Sequence, residues 1–291
     1  MTNTTIFNNA ASANWALTGA WNRGTPNNAL NAQIAGGSVF VANAPATALS
    51  LNVNGGSLFL NTAGDGLTVG NATVANNVSL GGASATAGNI NINAAATLSA
   101  GNFIQTNGNF NQNAGTLALS NNLNISAGIF NEAGGTVTVT NGLNVTGGTF
   151  NEGSGSITVG NASFTGGTDT INGTFVDKGT LTVGGTATPT TLTIGTGNTT
   201  TITGLTTISN SANGTHSTIN MAGGTLTLTG GLTFNGTTNL GAITGNGSIS
   251  GGTISGTGGT VTASGGTLTI ADTISSGVVL SINSGVASTL P

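Results

Sequence analysis

The chain has 291 residues with 2 Lys or Arg, 6 Asp or Glu and a net charge of −4 at pH 7, and only 3% of it is charged. So few basic residues exclude a nucleic-acid partner, whose phosphates need clustered Lys and Arg, and no apolar run approaches the roughly eighteen residues of a membrane-spanning helix. Thr 54, Gly 51, Asn 40 and Ser 24 fill more than half of the positions, yet 36% of the chain is hydrophobic and alternates with small polar residues, the pattern of a repeat fold rather than a disordered tail.

In chain order, the opening MTNTTIFNN has neither the basic flank nor the apolar run of a signal peptide. Residues 1–35 hold both tryptophans, Trp15 and Trp21, and the only arginine, Arg23. The segment reads as an N-terminal cap in which the two indoles form a hydrophobic lid over the first rung. The same rings would otherwise supply a stacking platform for sugar or a docking surface for a neighbouring subunit.

From residue 36 onward, short apolar-x-apolar triplets recur. One series runs Val39-Phe40-Val41, Leu58-Phe59-Leu60, Val78-Ser79-Leu80, Leu98, Leu117-Ala118-Leu119, Val137-Thr138-Val139, Ile157-Thr158-Val159 and Leu181-Thr182-Val183, with later members at Leu226 and Leu268. A second contains Leu67, Ile90, Leu123, Leu143, Leu192 and Leu232, and a third is the ladder Phe110, Phe130, Phe150. Alternation with period two predicts strands buried on one face. Gly-Gly, Asn-Gly and Gly-Asn between them predict two or three sharp turns per repeat. A constant period near twenty predicts that the chain winds, so that Leu117, Val137 and Ile157 stack as one core ladder at the ordinary strand spacing of about 4.8 Å. The predicted fold is all-β, a right-handed parallel β-solenoid of about 20 residues per coil spanning 36–291. Residues 1–150 hold 29 of the Asn and 151–291 hold 36 of the Thr, so the rungs are Asn-rich to about 160 and Thr-rich after it. Asn is expected to bond its twin one rung away, and Thr to stand outward on the strands.

The paired tryptophans, the Gly and Pro that follow, and the Asn/Ala-rich approach to the first Gly-Gly rung resemble the start of extracellular β-solenoid passengers of the autotransporter and filamentous-adhesin kind. The repeat style along the chain is similar too. That resemblance implies a solenoid fold and a place outside the cell or on its surface. The chain departs from the family in showing no membrane-anchoring barrel and no recognisable C-terminal cap.

Residues for chemistry are few. The acids are Asp65, Glu132, Glu152, Asp169, Asp177 and Asp272. Glu132 and Glu152 share a repeat position, so they read either as a retaining-glycosidase pair about one strand spacing apart or as two solvated turn residues copied with the repeat. Asp65 and Asp177-Lys178 read as turns. His216 has no second His or Cys to form a zinc site and reads as a surface residue. The glycine-rich runs lack the Lys of a phosphate loop. Thr136/Thr138, Thr180/Thr182, Thr225/Thr227 and Thr267/Thr269 read as outward pairs at one rung position, which raises ice binding. Phe40 and Phe59, outward on successive rungs, read as an apolar contact patch, and the C-terminal GVVLSINSGVASTLP ends like a rung.

These features predict a structural extracellular protein without enzymatic activity or cofactor: a self-assembling fibre, surface-layer or sheath subunit whose partners are copies of itself. Trp15, Trp21, Phe40, Phe59, Val279 and Ile282 are the expected assembly contacts. The alternative is a non-polymerising adhesin or phage-fibre segment that binds surface glycan. An ice-binding or polysaccharide-degrading β-helix is the remaining reading.

Overall fold

The computed structural model describes residues 4–42, 45–71, 74–82, 87–185, 189–209, 216–236 and 241–289. Among these, strands make up nearly all regular structure, with one 3-10 turn at Thr18–Ala20. The chain divides into two compact units, residues 1–141 with 153–156, and residues 142–152 with 157–291. In both, strands pair in parallel with strands one coil away, as a parallel β-solenoid requires.

In the first unit each coil has three sides. The first side stacks residues 31–34, Leu51–Val53, Asn77–Leu80, Asn102–Gln105 and Leu123–Ile125. The second stacks 38–41, Ser57–Leu60, Asn89–Ile92, Asn109–Gln112 and Ile129–Glu132. The third stacks Pro45–Ala48, Gly66–Asn71, Thr97–Ala100, Thr116–Leu119 and 136–139. Alternation places every second side chain inside, so apolar columns line all three sides of the coil. Phe7, Ile34 and Val53 form part of one on the first side, Val39, Leu58, Ile90, Phe110 and Phe130 one on the second, and Leu67, Leu98, Leu117 and Val137 one on the third, all of them buried. The Phe110 and Phe130 rings stack with centroids 4.5 Å apart at 14°.

The predicted stacking order needs correction. Leu58 is followed on its side by Ile90, not by Val78, which lies over Leu51 on the first side. The coil between Leu58 and Ile90 takes 32 residues instead of twenty, so counting a fixed interval steps onto a different side. The first unit also starts earlier than the expected boundary at 35. Thr4–Phe7 pairs in parallel with Asn31–Ile34, so residues read as a cap already form a coil.

Corners set the glycine positions. Gly108 and Gly128 have φ of 79° and 83°, and a Cβ on Gly128 would lie 2.3 Å from the Gly108 carbonyl oxygen. Only glycine fits there, because both the left-handed backbone and the stacked carbonyl reject a side chain.

The second unit repeats the three-sided pattern. Its first side stacks 162–164, Leu181–Val183, Thr206–Ser209, Leu232–Asn235, Thr253–Gly256 and Thr273–Ile274. Its second stacks Thr149–Glu152, Thr168–Ile171, Thr191–Ile194, then 218–221, 242–245, 260–263 and 279–282. Thr174–Asp177, Thr199–Ile202 and 225–228 lie on the third. Phe150 and Ile157 are buried. Leu181 belongs to the first side, beside Ala162 and Thr206, whereas Leu226 lies on the third over Thr200. The expected single series of Leu181 and Leu226 is therefore two columns.

Candidate functional site

The acidic residues face inward. Glu132 is the last residue of its strand, two positions after Phe130, and alternation drives both inside, where Glu132 has no exposed surface. The solvated-turn reading of Glu132 is thereby corrected, and so is that of Glu152, likewise fully buried in the second unit. Burial pushes the Glu132 carboxyl up to about 7, with the backbone N–H groups of Gly153 and Gly155 offsetting part of the rise. A carboxyl sealed in this way presents no oxygen to a polysaccharide. The register position directly below holds Gln112, whose Nε2 donates to the carbonyl oxygens of Gly115 and Thr136, both at 3.1 Å. Gln105 makes the same hook on the first side, donating to Gly108 and Ile129 at 3.0 and 2.9 Å. Inward polar residues at strand ends thus tie corner carbonyls of successive coils.

In the second unit Asp169 occupies an apolar column between Phe150 and Leu192. It is fully buried with neither carboxyl oxygen hydrogen-bonded, and burial pushes its pKa up to about 8. Asp177, read as part of a turn, is buried where its strand passes into that turn. It closes the strand Thr174–Asp177 from inside, and its Oδ1 accepts the Gly179 N–H at 2.8 Å. Burial lifts it to about 6, against the opposing pull of the Gly179 and Ala162 backbone bonds. Asp272 is raised for the same reason and accepts the Gly252 N–H at 3.0 Å. Asp65 stands in a turn, its Oδ2 accepting the Thr62 N–H at 2.8 Å. Lys178 and His216 are exposed. Among the described residues no three His, Cys, Asp or Glu side chains converge as metal ligands would.

At the N-terminal coil Trp15 and Trp21 are buried, 3% and 4% exposed. Their rings meet edge to face at 5.2 Å, Trp21 packs on Phe7 at 5.6 Å, and the Trp21 Nε1–H donates to the Trp15 carbonyl at 3.0 Å. Rings so enclosed offer neither a sugar platform nor a docking face. At the other end Val279 and Ile282 are exposed, 53% and 59%, as is Leu280 at 41%. Leu280 lies over Val261 and Ile282 over Ala263, so both hold inward positions of their coil.

Outward positions carry two kinds of surface. Phe40 and Phe59 are half-exposed and stacked on each other, centroids 5.0 Å apart at 14°. Beyond them on the second side stand amide ladders, each Asn donating to its twin one coil away as the sequence led us to expect. Asn109 bonds Asn89 at 3.0 Å, Asn111 bonds Asn91 at 3.1 Å and Asn113 bonds Asn93 at 2.7 Å. The Thr pairs do not share one rung position. In the second unit Thr225 and Thr227 lie over Thr199 and Thr201 on the third side, while Thr182 lies over Ser163 on the first.

The fold defines the class: this is a parallel β-solenoid repeat protein. No family model, no curated protein and no solved structure matches the chain. In the second unit, no helix among the described residues is long and apolar enough to cross a membrane, and the same holds in the first.

Proposed function

We propose that this chain is a structural, extracellular β-solenoid, a subunit of a surface fibre, sheath or adhesin stalk that assembles by stacking coils end to end. One observation carries the reading. Leu280 and Ile282 continue the inward columns of the second unit and are 41% and 59% exposed, so their apolar side chains have surface that a further coil, of this chain or of another copy, would cover. A solenoid coil left uncovered pairs with further strands. The right-handed coil expected of parallel connections belongs to the same reading. Support for an extracellular place comes from the resemblance of the Trp-containing segment to autotransporter and filamentous-adhesin passengers, and from the scarcity of tryptic sites, 2 in 291 residues.

Electron microscopy across a concentration series tests the proposal. Fibres that lengthen with concentration are expected, and Ile282→Lys, which sets a charge on the open column, should leave separate particles. Separate particles of the unaltered chain at every concentration would sink the end-stacking reading.

A further inference from the structure

We propose that the outward second side of the first unit binds a neutral, extended polysaccharide. The surface consists of three amide columns: Asn89 with Asn109, Asn91 with Asn111, and Asn93 with Asn113. A primary amide carries two N–H donors and two acceptor lone pairs. Each bond along a column consumes one donor of the upper Asn and one lone pair of the lower. The second N–H of the upper amide and the second lone pair of the lower take no part in that bond and can serve a ligand. A hydroxyl is likewise both donor and acceptor, so a row of sugar hydroxyls meets each column in kind.

Charge and area narrow the occupant. Every outward position on this side, from Ser38 and Phe40 through Ile129 and Asn131, is uncharged. Nothing there would compensate the charge of an acidic glycan or a nucleic acid once either was desolvated. Coils rise about 4.8 Å and alternate side chains along a strand stand about 6.6 Å apart, so the amide lattice covers roughly 200 Å². A stable contact with a second copy needs about 800 Å² on each partner, whereas a few sugar rings fit the smaller area. The columns stand side by side along the strands Asn89–Ile92 and Asn109–Gln112, which suits an extended β-linked chain over a helical one. At one edge the stacked Phe40 and Phe59 rings offer apolar surface to the C–H faces of a sugar.

Titration calorimetry with cellohexaose, and with polygalacturonate as the charged counterpart, tests this surface. Saturable binding of cellohexaose and none of polygalacturonate is expected. The double variant Asn91→Thr/Asn111→Thr keeps good strand formers and should weaken binding about tenfold, the effect of losing two ordinary hydrogen bonds. Asn102→Thr/Asn122→Thr removes an equivalent amide ladder on the first side, where Asn122 donates to Asn102 at 3.3 Å, and should leave binding unchanged. Failure of the unaltered chain to bind cellohexaose would overturn the proposal, as would equal weakening by both double variants. Lateral self-association abolished by Asn91→Thr/Asn111→Thr, seen by sedimentation, would make a second copy the occupant and overturn it too. End-to-end fibres would be unaffected by these variants, so this surface and the stacking edge fail or stand separately.

Discussion

Replacing Glu132 by Gln removes an ionisable group from the core at almost no change in shape. The carboxyl is fully buried and raised from 4.5 to about 7. A folded-state value above the unfolded one means that the folded chain holds the proton more tightly. The stability it contributes is complete below about pH 4.5, declines as pH rises toward 7, and is gone above it. The shift corresponds to about 3 kcal/mol lost between those limits. Gln112, one coil below, shows how an amide fits, with two carbonyls accepting from Nε2 at 3.1 Å. Glu132→Gln is therefore expected to stabilise the protein by about 2–3 kcal/mol at pH 8 and by little at pH 4. Urea unfolding followed by circular dichroism at both values measures it. An equal effect at the two pH values, or destabilisation at pH 8, would show that the buried carboxylate is compensated as an ion and that the argument is wrong.

Two other changes test the same physics. Asp169→Val replaces an unpartnered carboxyl in the column between Phe150 and Leu192. It should raise stability by about 2–4 kcal/mol at pH 7.5 and by less at pH 4, because protonation between pH 8 and 4 already relieves the native residue; thermal melts at the two pH values decide, and an unchanged melting point at pH 7.5 counts against it. Gly128→Ala forces a side chain into a φ of 83° against the Gly108 carbonyl, and a loss of about 1–3 kcal/mol in urea unfolding is expected.

Much of the candidate site was open to the eye in the sequence and was read partly. Phe130-Asn131-Glu132 puts Glu132 two positions from a core Phe, so strict alternation assigns it to the interior. Charge argued the other way, because an unpaired carboxyl is rarely buried, and the turn reading followed charge. Asp177, two positions after Phe175, carries the same signal. The Asn ladders were legible because identical residues at twenty-residue spacing must stack once coils do. The hooks made by Gln105 and Gln112 were not, since nothing local distinguishes an inward Gln that reaches corner carbonyls from an outward one in water.

By itself the sequence determined that the chain is all-β, that alternate residues along each strand face inward, and that coils near residues 102–145 repeat every twenty. Those features are local, set by side-chain alternation and by glycine at the corners. Only the tertiary structure decided which triplets lie above one another. Leu58 meets Ile90 after 32 residues because the coil between them is longer at its corners, and corner length costs a solenoid little. Strand registry, not sequence interval, therefore chose the partners that enclose Asp169.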